Sequence, residues 1–501
     1  MSITEVIDPV YSFLPDDVYE ASTISSKYVE YRPEEVILNA AGNDNVSNNF
    51  TIIMDNHQSL VKLSDAVVDV KYRLINSTND AVYPSTTIAS IGANAQLMFQ
   101  NVKLSIQSKS IEEIEFPGYC NTVRSLMELP GPYIERNGPV EGLWLEKARS
   151  RTGDEDDITT NPTVYTWSAG AAHIQQYNVD AVSFAIESKS QIFNKSYKRR
   201  FFQTQGSSPA EISIPLRSIF KFADAYDGVL KGSDIELAFT KQTDYKLVLH
   251  AVDGTQAPRL VITDLRLRVP VLTPSASASL QLQEQLNSSA VSKLIYPNWH
   301  TRFSQTYDYN TTYQKWKANT LTRPPLYCFV MFQIDKCYAN INDDTTANVK
   351  TSTDFIANPL KFKSAASNGG GVGFTDISRV TLYVGGDRKP EQDWRMDFTA
   401  NDFSQVYSEF LRVCGKAPYG DSEEESFCDA ETFKLQYPMF AFDLRPAANK
   451  FFGEGNNSID LEVEWQVEAG ASGNYRAVVV YSDERCVNFG SVGGQLMIDP
   501  C

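Results

Sequence analysis

Ile212-Ser213-Ile214-Pro215-Leu216-Arg217 and Phe442-Asp443-Leu444-Arg445 decide how this chain is read. Each ends an apolar stretch on a Leu-Arg pair, and each is followed by a further alternating run. In the first case Ile235, Leu237 and Phe239 alternate with Glu236 and Ala238. In the second, Ile459, Leu461, Val463 and Trp465 alternate with Asp460, Glu462 and Glu464. A period of two with one polar face describes a half-buried strand. The spacing is similar too: 19 residues from Leu216 to Ile235 and 15 from Leu444 to Ile459.

Upstream of each marker the order of patterns repeats. In the first half Val68, Val70, Tyr72 and Leu74 alternate with Asp69, Lys71 and Arg73, and Val102, Leu104 and Ile106 give another strand. Tyr119, Val123, Leu126 and Met127 then fall on one helical face, closed by Pro130. In the second half Tyr327 to Ile334 is a nearly continuous apolar run, the mark of a strand covered on both faces. Val380, Leu382 and Val384 alternate next. Phe403, Val406, Tyr407, Phe410 and Leu411 make a helical face, with Asn401 or Asp402 placed to cap it. Phe433, Leu435, Tyr437 and Met439 read as a strand leading to Phe442, and Arg476 to Tyr481 as the closing strand. The first half closes on Leu265, Leu267 and Val269, alternating with Arg266 and Arg268.

The expected organisation follows from these matches. Residues 1–30 form an acidic arm, able to lay Tyr11, Phe13 and Tyr19 on a neighbouring subunit or else to stay disordered. Residues 31–272 form a first β-domain, 273–295 a linker with a short helix at 279–287, and 296–501 a second β-domain with a C-terminal tail. Long loops at 130–175, 340–375 and 415–430 separate strands. Two of them carry acidic runs, Asp154-Glu155-Asp156-Asp157 and Glu423-Glu424-Glu425. The fold class is all-β: two consecutive eight-stranded jelly rolls with short helices and long loops.

Bulk composition agrees. With 501 residues, the chain is too long for one ordinary core, and 42% hydrophobic with 21% charged residues is globular composition. The 25 Tyr and 27 Phe favour pleated surfaces. A formal charge of −17 repels phosphate backbones, so no direct sequence-specific nucleic-acid binding is expected; the run Tyr197-Lys198-Arg199-Arg200 reads as a strand edge or subunit ion pair. No apolar run approaches a membrane span, and the sequence from Met1 to Glu5 does not read as a secretory signal. The seven cysteines are dilute, odd in number and without a CxxC pair, which suits reduced thiols in a cytosolic or nuclear setting.

Reactive constellations are not apparent. His57, His173, His250 and His300 form no i, i+4 pair of the kind a cupin metal site uses. Gly369-Gly370-Gly371-Val372-Gly373 is followed by Phe374-Thr375-Asp376 rather than by the Lys-Ser/Thr of a phosphate loop. The acidic runs lack calcium-loop spacing. No residue is assigned a catalytic, cofactor-binding or metal-binding role, and no cofactor is expected. Tyr307, Tyr309 and Tyr313 leave one alternative open, an aromatic-lined carbohydrate site on a two-domain β-sandwich.

Two consecutive jelly rolls of this size resemble the double jelly-roll major capsid proteins of double-stranded DNA viruses, in the polinton, adintovirus and virophage branch. The residues that carry the likeness are the strand-helix unit ending Phe116-Pro117-Gly118-Tyr119, the segment Leu216-Arg217-Ser218-Ile219-Phe220, the step to Ile235-Glu236-Leu237, and the strand at 259–270. The resemblance spans about 30 to 501. It implies a homotrimer of hexagonal outline that tiles with neighbouring capsomers into an icosahedral shell, meets a penton or minor capsid protein, and leaves open whether a membrane lies beneath. It also implies a protein of the virion, made in the host cytoplasm or nucleus, with no enzymatic activity.

Overall fold

The computed structural model describes residues 23–501 apart from 36, 43, 56–59, 77–88, 146–208, 232–233, 244–248, 252–257, 277–278, 281–291, 309–310, 335–376, 395, 399, 416–425, 447–457, 468–473, 493–494 and 501. The strand pattern expected over 180–201, the basic run at 197–200, the Gly-rich stretch, both acidic runs and most of the linker helix fall outside these residues.

The first half contains β1 (Thr23–Tyr31), β2 (Asn49–Met54), β3 (Leu60–Lys62), β4 (Val67–Asn76), β5 (Ala89–Ile91), β6 (Phe99–Ile106) and β7 (Lys109–Glu115). These are followed by β8 (Ala210–Pro215), β9 (Val229–Lys231), β10 (Ile235–Lys241), β11 (Leu249–Ala251) and β12 (Pro258–Pro274). The second half contains β13 (Ser292–Phe303), β14 (Tyr307–Asp308), β15 (Tyr313–Leu321), β16 (Pro325–Ile334) and β17 (Ile377–Val384). It closes with β18 (Asp387–Lys389), β19 (Phe440–Asp443), β20 (Ile459–Val467), β21 (Asn474–Val492) and β22 (Gln495–Pro500).

Eight strands of each half carry the same wiring. In the first, one sheet runs β1-β12-β4-β8 and the facing sheet β2-β10-β6-β7. In the second the sheets run β13-β21-β16-β19 and β15-β20-β17-β18. Numbered by chain order within each half, both give 1-8-3-6 against 2-7-4-5, the jelly-roll order. The remaining strands are additions: β3 and β9 extend the first sheet, β5 pairs β11, and β14 and β22 pair with β21. The chain is a double jelly roll.

Alternation explains the sheets. Ile235, Leu237 and Phe239 point inward and are buried, while Glu236 is exposed. Leu461, Val463 and Trp465 are likewise buried, and the outward Glu462 and Asp460 meet Lys315 at 2.8 Å and Lys317 at 2.7 Å on the neighbouring strand. In the first barrel Arg268 on β12 reaches Asp69 on β4 at 2.9 Å, and Asp69 also accepts from Ser213 Oγ on β8 at 2.6 Å. One continuous apolar cluster runs through both halves.

Each half places a helix after its fifth principal strand: α1 (Pro117–Glu128) follows β7, and α6 (Ser404–Val413) follows β18. Between them in the chain lie α2 (Gly131–Arg136), α3 (Gly138–Glu141), α4 (Leu216–Ile219) and α5 (Lys221–Ala225); α7 (Ala430–Gln436) comes last.

Several expectations are revised. Thr23–Tyr31 is a strand of the first sheet rather than the end of an arm, held in register by pairs such as Val29↔Val269. The span expected as linker is entered by β12 from one side, to Pro274, and by β13 from the other, from Ser292. Residues 131–141 are two helical turns, not open loop. Phe433 to Gln436 are helical, with Tyr437 just past the end, and are not a strand: Asp429 caps α7 by accepting from Thr432 N at 2.7 Å. Phe433 and Tyr437 share a helix face at i, i+4, which a short period-two window mimics. Neither Asn401 nor Asp402 caps α6, because Phe403 holds that position without a side-chain bond and Asn401 turns left-handed at φ 65. Finally, Cys486 is disulfide-bonded, against the reading of reduced thiols throughout, while Cys120, Cys328, Cys414 and Cys428 are buried thiols.

Candidate assembly block and the junction between its halves

The two barrels are held together by a packed junction. The Phe116-Pro117-Gly118-Tyr119 motif starts the element that supplies it. Phe116 adopts a left-handed φ of 53, Pro117 opens α1 with its fixed φ, and Gly118 passes so close to Leu97 that an added Cβ would lie 2.6 Å from the Leu97 nitrogen. Turned by this corner, α1 is buried from Pro117 through Leu126.

What buries it is partly the other half. Tyr119 meets Phe303 edge-on at 5.2 Å, and Phe116 meets the same ring at 4.8 Å. Gln333 on β16 donates to the Tyr119 hydroxyl at 2.7 Å. Cys120 Sγ and Thr301 Oγ1 lie 3.1 Å apart, and burial, opposed by that contact, pushes the Cys120 thiol up to about 12. Arg476 lies over the Phe303 ring at 4.2 Å. On the adjoining flank Tyr296 donates to the Ile111 carbonyl at 3.0 Å, Arg485 donates to the Ser110 carbonyl at 2.9 Å, and Arg302 pairs with Glu115. Tyr226 stacks on Phe489 at 4.9 Å.

At the centre of this seam sits Glu112, fully buried on β7. Its carboxylate accepts from the backbone N–H groups of Lys221 at 3.0 Å and Phe222 at 2.8 Å, satisfying the otherwise unpaired start of α5. Burial raises its pKa, opposed by those two amides and by Arg124 from the first half and Arg485 from the second. Arg124 is itself only 5% exposed and donates to the carbonyls of Ser218 at 3.0 Å and Arg217 at 3.1 Å, ending α4. Sequence reasoning missed Glu112 altogether. The only trace was a carboxylate breaking an apolar-polar alternation, Ile111-Glu112-Glu113-Ile114, which puts one acidic residue on the inward face.

Where described, the residues considered for chemistry make packing and hydrogen-bond contacts. His300 stacks on Tyr481 at 4.9 Å and bonds Asp483 at 3.1 Å. Tyr307 packs edge-on against Trp465 at 5.2 Å and is part-buried, whereas Tyr313 is exposed; Tyr309 lies outside the described residues. Cys328 is buried and its pKa is raised by burial. Among the described residues no group of three His, Cys, Asp or Glu side chains is placed to hold a metal ion, and no helix is long and apolar enough to cross a membrane. A groove of about 640 Å³ beside α6, bordered by Trp394, Ser408 and Arg412, has a smaller counterpart of about 240 Å³ beside α1, bordered by Asn121, Tyr133 and Arg217. Neither gathers convergent polar groups of one chemical kind.

The topology and this junction define a tandem jelly-roll protein, and comparison with solved structures agrees. A chain of the Sputnik virophage, solved by cryo-EM, is similar over 96% of this chain and 89% of its own, with a TM-score of 0.50 and 11% identity. The mavirus major capsid protein is similar over 97% of this chain and 95% of its own, with a TM-score of 0.49 and 10% identity. The Faustovirus major capsid protein covers 93% and 90%, with a TM-score of 0.46 and 9% identity. No family model and no curated protein matches the chain. The Sputnik likeness bears on the fold.

Proposed function

We propose that this chain is a major capsid subunit, and that its work is self-association: three chains form a pseudo-hexagonal trimer, and trimers tile an icosahedral shell. The observation that carries the reading is the repeated 1-8-3-6 and 2-7-4-5 strand order, fused through one continuous core. Two near-equivalent barrels per chain let three chains present six similar units, while the differences between barrels fix which neighbour meets which. Many interfaces of ordinary size then hold the shell, without a strong single bond. The fold of the Sputnik virophage chain supports this reading.

The division of the chain that accompanies it keeps 31–272 and 296–501 as the two jelly rolls, extended by the strands that begin at Thr23 and Ser292. A penton or minor capsid protein as partner, synthesis in the host cytoplasm or nucleus, and a structural rather than enzymatic role belong to the same proposal. The formal charge of −17 favours a soluble free subunit and leaves genome neutralisation to other, basic proteins. The fold of the Sputnik virophage chain lends no support to the carbohydrate-binding alternative. Size-exclusion chromatography with light scattering tests the proposal: a stable species near three times 56.0 kDa is expected, and a strict monomer at capsid-like concentrations overturns it.

A further inference from the structure

We infer that the outward face of the first barrel's β1-β12-β4-β8 sheet docks on α6 of a second copy of this chain, with Tyr28 in the groove beside that helix. This docking rests on the trimer proposed above and is the contact that closes it. The two barrels correspond rung by rung. Leu216 N donates to the Ala66 carbonyl at 2.8 Å, and Leu444 N donates to the Leu326 carbonyl at 2.9 Å. One rung on, Val67 faces Pro215 and Tyr327 faces Asp443, so β4 and β16 run in step. On the next ladder Asp69 faces Arg266 where Phe329 faces Val480. On the last, Glu30 faces Arg268 where Trp299 faces Ser482. Asp69, Arg266 and Glu30 of the first barrel therefore take the places of Phe329, Val480 and Trp299 of the second.

These matching faces differ in chemistry. Phe329, Val480 and Trp299 are fully buried. Two neighbours on their face reach α1: Gln333 donates to the Tyr119 hydroxyl at 2.7 Å, and Thr301 meets Cys120 at 3.1 Å. In the first barrel the same face is a network of ion pairs. Arg266 meets Glu211 at 2.6 Å and Glu30 at 3.5 Å, and Lys71 meets Glu211 at 3.5 Å. Arg32, 62% exposed, lies 3.9 Å from Asp264. An apolar face needs a permanent cover, whereas a charged one stays hydrated in the free chain and can be covered later.

The junction within the chain identifies the cover. There the second barrel's sheet lies against the helix that follows the fifth principal strand of the first barrel. In a ring of three chains the same head-to-tail contact recurs between chains. It then lays the first barrel's sheet on the helix that follows the fifth principal strand of the second, which is α6. Ser404, Ser408 and Arg412 give α6 an exposed face. Beside it lies the groove of about 640 Å³ bordered by Trp394, with Asp393, Glu409 and Arg412 supplying charges of both signs, as the sheet does. Tyr28, 57% exposed, stands on the charged face two residues before Glu30 and offers the aromatic anchor on which such interfaces centre.

The test uses the full chain with a photoreactive benzoylphenylalanine in place of Ser408. Irradiation of the trimer is expected to give a chain-to-chain cross-link that peptide mass spectrometry places on β1, β12, β4 or β8 of the neighbour. A trimer that cross-links elsewhere, or not at all, overturns the docking and leaves the trimer standing. A chain that stays monomeric overturns both. Tyr28→Ala removes an exposed ring and leaves the barrel core intact. It is expected to raise the concentration at which half the chains are trimeric about tenfold or more. An unchanged midpoint overturns the anchor.

Discussion

The helices α1 and α6 occupy the same place in the two barrels and do different work. Both follow the fifth principal strand of their jelly roll. On α1 everything from Pro117 to Leu126 is buried, because the second barrel covers the side that the first does not. On α6 only Val406, Phe410 and Val413 are buried, and its partners are local. Phe403, Tyr407 and Phe410 gather around Phe433 of α7 at 6.2, 5.3 and 5.2 Å. A duplicated fold has thus spent one copy of the helix on joining the halves and left the other facing outward. That asymmetry makes the two barrels unlike, which in the proposed trimer would fix which neighbour meets which.

The largest expected effect that could break this comparison is Tyr119→Ala. It removes a buried ring wedged against Phe303 and the hydroxyl that accepts from Gln333, and should cost about 3–5 kcal/mol in denaturant unfolding, with the two halves unfolding in separate transitions. A single unshifted transition would remove α1 from the junction. Glu112→Gln comes next, at about 2 kcal/mol, because the amide has one acceptor oxygen for two backbone N–H donors. It also carries a pH signature. The folded chain holds the Glu112 proton more readily than the unfolded chain does. The stability tied to this group is therefore full below the ordinary glutamate value of about 4.3 and falls as pH rises through the raised folded value. The glutamine variant should flatten that slope; an identical pH profile for both proteins would place the titration elsewhere. Tyr407→Ala on α6 is the smallest, about 1–2 kcal/mol, since its ring is half-buried and its hydroxyl donates only to the Cys428 carbonyl at 3.1 Å. If it cost more than Tyr119→Ala, the division of labour drawn here would be reversed.

Strands with strict alternation were legible in the sequence. Ile235 to Phe239 and Ile459 to Trp465 stand where their pattern put them, because one face of each meets the core and the other meets water. β1 was not legible. Its residues alternate weakly, and it is a strand because β12 offers a free ladder edge, a partner more than two hundred residues away. The helix at Ala430–Gln436 was misread because four apolar residues at period two also place Phe433 and Tyr437 on one helical face, and Asp429 at its start decides the matter. The junction was hidden for a related reason. Tyr119, Phe303, Gln333 and Arg485 are unremarkable in their own segments and become a site only when the two barrels meet.

Electron cryomicroscopy of the purified, self-associated chain tests the central claim most directly. The account predicts particles in which three chains present six barrels around a near-sixfold ring, each chain contributing two barrels fixed against one another through α1. Particles in which the two barrels of a chain take variable relative positions, or chains that never associate in threes, would contradict it.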